Sequence, residues 1–277
     1  MSPGAAGRPL VGERRTYRLH GLCHTRSTPL GGRIPVQTCM DPPLDIPGVP
    51  PPVDLVGRGG GQAVGDFGWT LTVTDCTTGW TEAGAVRTKA EVYVLAALES
   101  CLRRYPHHVL SLHADNGSKF INDEPRRFCD AHGIRFTRSH PWHKNDNCTV
   151  ESKNWTLVRR CLGYCRFDTK GQIIDLRQLE TLLTQRANVL QPSMVLQEKV
   201  RTGSRIQKRY RPRLTPLRRL LQAPEVSDQA KARLLRQLRD VDPISLQRDI
   251  HILQTRLLGK TSQDISPGAV TRRTISL

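Results

Sequence analysis

Between residues 53 and 190 the apolar pattern switches repeatedly between the two-residue repeat of a strand and the three-to-four-residue repeat of a helix, in an order few folds accommodate. Val53-Asp54-Leu55-Val56 reads as a short strand that runs into glycines at 57 and 59–61. Trp69 to Asp75 alternates as a second strand, and Gly79-Trp80 marks a turn before a third near residues 80–86. Thr88 is placed to cap a helix whose apolar positions include Val92, Leu95, Ala96 and Leu98 and which ends before Tyr105-Pro106. Val109 to His113 is a buried strand, closed by Asp115-Asn116-Gly117. A second helix covers about 122–131 and stops at His132-Gly133, Ile134 to Thr137 is a further strand, and a polar loop runs through Asn147. Helices are then expected at about 148–162, with Val150, Leu157, Val158, Cys161 and Leu162 on or near one face, and at about 173–190. Three strands, helix, strand, helix, strand, helix points to an α/β fold, a mixed five-stranded sheet flanked by helices.

The flanks differ in character. Residues 1–52 are rich in Gly and Pro without periodic apolar positions, and Asp41-Pro42-Pro43 through Pro50-Pro51-Pro52 favours extended backbone, so this part is expected to be an irregular leader or linker. Residues 191–222 form a basic segment and 223–277 a helical tail. In the tail, two helices separated by Asp242-Pro243 offer Leu234, Leu235 and Leu238, then Ile250, Leu253 and Leu257, as a small apolar seam for assembly or a partner. No stretch approaches the roughly 18 apolar residues of a membrane span. The start, Met1-Ser2-Pro3-Gly4, lacks the charged-then-apolar pattern of a secretory signal. Eight scattered cysteines with no Cys-x-x-Cys pair favour a reducing compartment, and His20, Cys23, His24 and Cys39 fall short of a four-ligand zinc frame.

Three carboxylates fall where this order makes them useful. Asp54 lies in the first strand, Asp115 just past the fourth, and Glu151 in the first turn of the helix after the fifth. If strands one and four are neighbours, Asp54 and Asp115 converge and the helix lays Glu151 across them. Crowded carboxylates repel one another, and a divalent cation relieves the repulsion. An all-oxygen set without cysteine or imidazole suits magnesium or manganese. Asp75, closing the second strand beside Cys76-Thr77-Thr78-Gly79, competes with Asp54 as the first acid, although an Asp there is also a good turn former. Asp54 is favoured because a central first strand must adjoin the strand of Asp115. His113, His140 and His143 flank these motifs and are expected as partly buried loop histidines.

Asp115-Asn116-Gly117-Ser118 with Phe120, Ser139 and Pro141, Asn145-Asp146-Asn147, and Glu151-Ser152 with Asn154 resemble the catalytic core of retroviral-type integrases and bacterial insertion-sequence transposases. The 35 residues between Asp115 and Glu151 match the interval of that Asp-Asp-Glu family. The resemblance covers about 53–190 and extends more loosely to about 220. It implies a ribonuclease H-like fold, Asp54, Asp115 and Glu151 as catalytic and metal-holding acids, magnesium (or manganese) dependence, and DNA cleavage and strand transfer for mobile-element integration. It implies double-stranded DNA (element ends and target) as partner, a homo-oligomer on that DNA, no membrane, and a cytoplasmic, nucleoid-associated bacterial protein. A metal-dependent nuclease of the same fold and a catalytically impaired DNA-binding remnant are the alternatives. Trp155 stands where retroviral members often have a lysine that meets DNA, and is expected to pack beneath its helix.

Lys and Arg number 42 against 25 Asp and Glu, a formal charge of +17 that favours a polyanionic partner. Lys153, Arg159 and Arg160 share the helix of Glu151. Residues 199–219 add Lys199, Arg201, Arg205, Lys208, Arg209, Arg211, Arg213, Arg218 and Arg219 without one acid. Lys153, Arg159, Arg160, Arg205, Lys208, Arg209, Arg211 and Arg213 are the candidate DNA-binding residues. If about half of the charges in the 199–219 run engage phosphate, the binding constant for duplex DNA falls with salt at a log–log slope of roughly −4. A salt titration of DNA affinity checks this, and a flat dependence contradicts it.

Overall fold

The computed structural model describes residues 52–61, 64–114, 123–139 and 148–262, together with Pro47. They belong to one unit, Ile34–Leu277, while a second unit, Met1–Arg33, lies outside the described residues. The chain forms β1 (Pro52–Gly57), β2 (Trp69–Thr74), β3 (Thr81–Val86), α1 (Glu91–Arg104), β4 (Ser111–Ala114), α2 (Asp123–Ala131) and β5 (Arg135–Arg138). The strands make one sheet in the order β3-β2-β1-β4-β5. β1, β2 and β3 pair antiparallel, whereas β4 pairs parallel with both β1 and β5. This is the mixed five-stranded sheet that the element order implied.

The pleat gives the two faces of the sheet different chemistry. Val53, Leu55, Leu71, Val73, Leu112, Ala114 and Phe136 share one cluster with Val94, Leu98 and Cys101 of α1 and Cys129 of α2. Alternate positions present Thr70, Thr72, Thr74, Thr81, Ala83 and Ala85, all buried, toward the other side. Small and hydroxylated residues there let helices approach closely and bond to the sheet. α5 (Lys170–Val189) lies against β3 and clamps it through Asn188, whose side chain accepts from the Thr81 N–H at 2.9 Å and donates to the Thr81 carbonyl at 2.8 Å. Thr70 Oγ1 donates to Glu180 of the same helix at 2.5 Å.

Several boundaries differ from the sequence expectation. Thr88 does not cap α1. Ala90 is the N-cap, and the Thr88 hydroxyl accepts from its N–H at 3.2 Å. Val92 is 68% exposed, and the helix buries Val94 and Cys101 together with the expected Leu98. Both sets fit a helical repeat, and the buried one packs with Leu71, Val73 and Leu112 of the sheet. α5 starts earlier than expected because Thr169 and Gln172 form a reciprocal capping box. The helix expected at 148–162 has three parts: α3 (Cys148–Lys153), a π-helical stretch over Asn154–Arg159, and α4 (Arg160–Leu162).

The basic segment contains a two-stranded antiparallel hairpin, β6 (Leu196–Thr202) and β7 (Arg205–Tyr210), with Gly203 at φ 60° in its turn. α6 (Pro216–Gln222), α7 (Asp228–Asp240) and α8 (Pro243–Ser262) follow. The seam expected between the last two helices is split. Leu234 of α7 joins Leu217 and Leu220 in the cluster beneath α1, while Ile250, Leu253 and Leu257 of α8 pack with Leu176, Leu179 and Leu183 of α5. Leu235 and Leu238 stay exposed. No described helix is long and apolar enough to cross a membrane.

A buried polar group sits at the end of β2. The His107 ring lies edge-on to Tyr105, with Nε2 3.6 Å from Asp75 Oδ2, and neither ring nitrogen has a hydrogen-bond partner among the described residues. Burial holds the His107 pKa below its ordinary value despite the opposing pull of Asp75. The unfolded chain takes up a proton there below about pH 6.5, which the folded protein resists, so stability falls as pH drops through that range. His107→Gln is expected to flatten this part of the pH–stability curve, measured by urea unfolding either side of it. An unchanged slope refutes the assignment.

Candidate active site

Asp54 is the third residue of β1, half-buried, and stands opposite Thr72 of β2. One carboxylate oxygen accepts from the Leu55 N–H at 2.7 Å, and the other accepts from Asn154 Nδ2 at 2.6 Å. Asn154 is buried, and its Oδ1 accepts from the Thr72 hydroxyl. A single amide therefore ties the two central strands to the helix that packs on them. Glu151 is exposed, in the first turn of α3 and three residues before Asn154, which puts the two on neighbouring positions of one helical side. The structure thus brings Asp54 and the helix of Glu151 together.

The third acid cannot be placed in the same way. Val53 pairs with Ala114, the last residue of β4, in parallel register, so the central strand does adjoin the strand that leads to Asp115. Asp115 itself lies outside the described residues, as do His140 and His143. Among the described residues, no group of three or more His, Cys, Asp or Glu side chains is arranged to hold a metal ion.

Asp75 is fully buried and engaged by its turn. Its carboxylate accepts from the Thr77 N–H at 3.0 Å and from the Thr78 hydroxyl at 2.7 Å, and its carbonyl accepts from the Gly79 N–H at 2.8 Å. Gly79 has φ 76°, a conformation that favours glycine. His113 is also buried. Its ring bridges the hydroxyls of Thr137 at 3.0 Å and Ser139 at 3.1 Å, joining β4 to β5 rather than lining a loop.

The candidate DNA-binding cations divide into structural and exposed groups. Arg159 Nη2 donates to the Gly57 carbonyl at 3.2 Å, and its guanidinium lies 4.5 Å from the Tyr164 ring centroid. Lys153 is half-buried; burial, reinforced by Arg219, pushes its ammonium down to about 8. Arg219 anchors α6 by donating to the carbonyl of Thr78 at 2.7 Å and to Ser193 Oγ at 3.1 Å. Arg160, Arg205, Lys208, Arg209 and Arg213 are exposed, and Arg211 is half-buried. Trp155, expected beneath the helix, is instead 55% exposed.

Sequence reasoning missed the roles of Asn154, Thr72 and Arg58. Arg58 is buried; its Nε donates to Thr70 Oγ1 at 3.2 Å and its Nη1 to the Val158 carbonyl at 3.4 Å. A lone Arg in a glycine-rich stretch carries no periodic signal, whereas Asn154, three residues after Glu151, was visible as a motif residue without a partner.

Comparison with known proteins finds similarity over this part of the chain. Residues 53–144 match the integrase core domain family. The uncharacterized protein y4rM of Sinorhizobium fredii is 37% identical over 186 residues, covering 67% of this chain; the chain spans about half, 53%, of that protein's length. Among solved structures, the catalytic core domain of BIV integrase is 19% identical, with 53% of this chain and 87% of that one covered at a TM-score of 0.40. The HTLV-2 integrase catalytic core domain, in complex with magnesium in a dimeric form, is 14% identical, with 53% and 91% covered at a TM-score of 0.40. The likeness to an integrase core domain falls on residues 53–144, which hold all five strands of the sheet but for Pro52.

Replacing Asn154 tests the strand-to-helix tie. Asn154→Leu removes hydrogen bonds from two buried or half-buried groups and is expected to lower stability by about 1–3 kcal/mol. Asn154→Asp sets a second carboxylate against Asp54, so its deficit relative to the native protein should be largest at neutral pH and shrink toward about pH 4. Thermal melts across pH measure both, and a pH-independent deficit contradicts the contact.

Proposed function

We propose that this chain is a DNA strand-transferase that cleaves and joins DNA for mobile-element integration, with Asp54, Asp115 and Glu151 as its acid set. The observation that carries the reading is the Asn154 bridge: it binds Asp54, on the central strand of an integrase core domain, to the helix that bears Glu151. Asp115 follows Ala114 directly in the sequence, at the end of the strand paired in parallel with that of Asp54. Asp75 is a poorer first acid because it is fully buried and closes its own turn, whereas Asp54 is half-buried on the strand that adjoins β4.

Carboxylate donors of this kind fit a hard divalent cation, magnesium or manganese, and Asp54, Asp115 and Glu151 would hold it. Bound there, such a cation supplies charge stabilisation at the attacking and leaving oxygens of phosphoryl transfer. The chain's own groups do the rest. Asn154 fixes the Asp54 carboxylate against rotation, so the site is positioned before substrate arrives. Glu151, exposed at the helix start, is open to solvent, from which a cation would reach it. Arg160, Arg205, Lys208, Arg209, Arg211 and Arg213 contact DNA phosphates, Lys153 approaches the backbone from the acid helix, and Arg159 serves mainly to hold that helix on β1. Residues 53–190 act as the catalytic core, 191–222 as the DNA-binding segment and 223–277 as a helical extension, on element ends and target DNA as a homo-oligomer.

The deciding experiment incubates the protein with labelled linear DNA, a circular target and magnesium, comparing native chain with Asp115→Asn. Metal-dependent joined product from the native chain alone supports the proposal. Cleavage without joining indicates a nuclease, DNA binding without chemistry indicates a remnant, and joining by both forms removes Asp115 from the site. In the same assay Asp54→Asn should abolish joining, whereas activity retained there and lost with Asp75→Asn reverses the first-acid assignment.

A further inference from the structure

The end of β1 and the π-helical stretch hold each other through a reciprocal pair of arginines. Arg58 Nη1 donates to the Val158 carbonyl at 3.4 Å, and Arg159 Nη2 donates to the Gly57 carbonyl at 3.2 Å. Each side chain thus reaches the backbone just before the other arginine. Val56, Leu157, Val158 and Ala187 form an apolar cluster at the same junction.

Arg58 is the more constrained of the two. It is buried, its Nε donates to Thr70 Oγ1 at 3.2 Å, and its Nη2 stands 3.9 Å from Glu180 Oε1. Its own N–H donates to the Gly68 carbonyl at 2.9 Å, and its carbonyl accepts from the Phe167 N–H at 3.2 Å. Burial pulls its pKa below the ordinary value, against the opposing charge of Glu180. A buried guanidinium is costly, and an apolar side chain of similar size would fill the space without that cost. What the planar fork adds is direction, since its three nitrogens reach toward β2, α5 and the π-helical stretch at once.

Direction matters at this stretch because of what precedes it. The Arg160 N–H donates to the Trp155 carbonyl, five residues back. One extra residue in a turn changes the phase between the flanking segments by about 100° relative to an unbroken α-helix. At the start of the stretch Asn154 ties the helix to Asp54 and Thr72, and at its end Val158 and Arg159 tie it to β1. Held at both ends, the stretch cannot shed its extra residue without breaking one of these ties. Glu151 lies in α3, directly before it.

We infer that Arg58 is a positioning residue for Glu151: with Arg159 it locks the π-helical turn against the end of β1, and so sets the phase at which the helix presents its acid. The inference rests on the reading of Glu151 as one of three metal-holding acids. A lysine at position 58 keeps the charge but brings one ammonium to a place that uses three nitrogens. Arg58→Lys therefore removes the lock without removing the cation.

The test uses the full chain with manganese alone. Thermal melts titrated with the metal give the concentration at which half of its stabilising effect is reached. Arg58→Lys should raise that midpoint roughly tenfold, as should Glu151→Gln. The double variant should be no worse than Glu151→Gln, because both changes act through one acid. Arg159→Met, at the half-buried end of the pair, should shift the midpoint the same way and serves if Arg58→Lys does not fold. Hydrogen exchange over residues 154–163, without metal, should show lost protection in both arginine variants. Asn188→Ala loosens α5 from β3 and is the destabilised control, expected to move neither readout. An unchanged midpoint in the arginine variants overturns the inference. So do additive effects in the double variant, unchanged exchange over 154–163, or an equal midpoint shift in Asn188→Ala. No manganese effect on the native chain defeats the acid-set reading, and the inference with it. Neither readout requires DNA joining, so these shifts in a chain that joins no DNA defeat only the strand-transfer reading.

Discussion

β1 is paired along both edges and covered on both faces, and most of the described structure follows from how those four contacts are met. Its antiparallel edge is served by a neighbour in sequence, β2, while its parallel edge requires a crossover through α1 to reach β4. One face is satisfied by apolar burial: Val53 and Leu55 enter the cluster formed with α1 and α2. On the other face stands Asp54, whose charge an apolar cover would leave uncompensated. The neighbouring strands answer with threonines, and the helices above answer with amides and carboxylates.

Three polar clamps result, Asn154 to Thr72 and Asp54, Glu180 to Thr70, and Asn188 to Thr81. Because hydrogen bonds depend on direction, they set the position of each helix more narrowly than apolar contact would. The middle clamp is the most demanding. Burial raises the Glu180 pKa to about 7, against the pull of Arg58, and the closest Arg58–Glu180 approach is a loose 3.9 Å. The better-directed bonds of Arg58 go to Thr70 and to the Val158 carbonyl. This buried pair is therefore better understood as a specifier of geometry than as a source of stability. Through Val158 it reaches the π-helical turn.

That turn makes one helix perform two tasks. Its inward side carries Asn154, Leu157 and Val158 onto the sheet, while its outward side presents Glu151, Trp155 and Arg160. A continuous α-helix buried through Leu157 and Val158 would align different residues along the outer face. π turns are locally unfavourable and recur at functional sites, and this one begins three residues after Glu151. The basic hairpin offers a contrasting kind of surface. All residues of β7 are exposed, Arg205, Lys208 and Arg209 among them.

Local periodicity determined the number, type and order of elements in the core, and the break at Asp242-Pro243, because strand and helix repeats are properties of consecutive residues. It also supported Asp54 as the acid of a central strand and placed Asp75 beside turn-forming residues. Phase and partners were another matter. Whether α1 buries Val92 or Val94, whether Trp155 lies under or over its helix, and whether Leu234 meets Ile250 or Leu217 are choices between arrangements with the same repeat. Long-range contacts made those choices: the bond from Arg58 to the Val158 carbonyl and the separate clusters beneath α1 and α5. The Asn154 bridge belongs with them, since its three members are distant in sequence and meet only when β1, β2 and the helix are assembled.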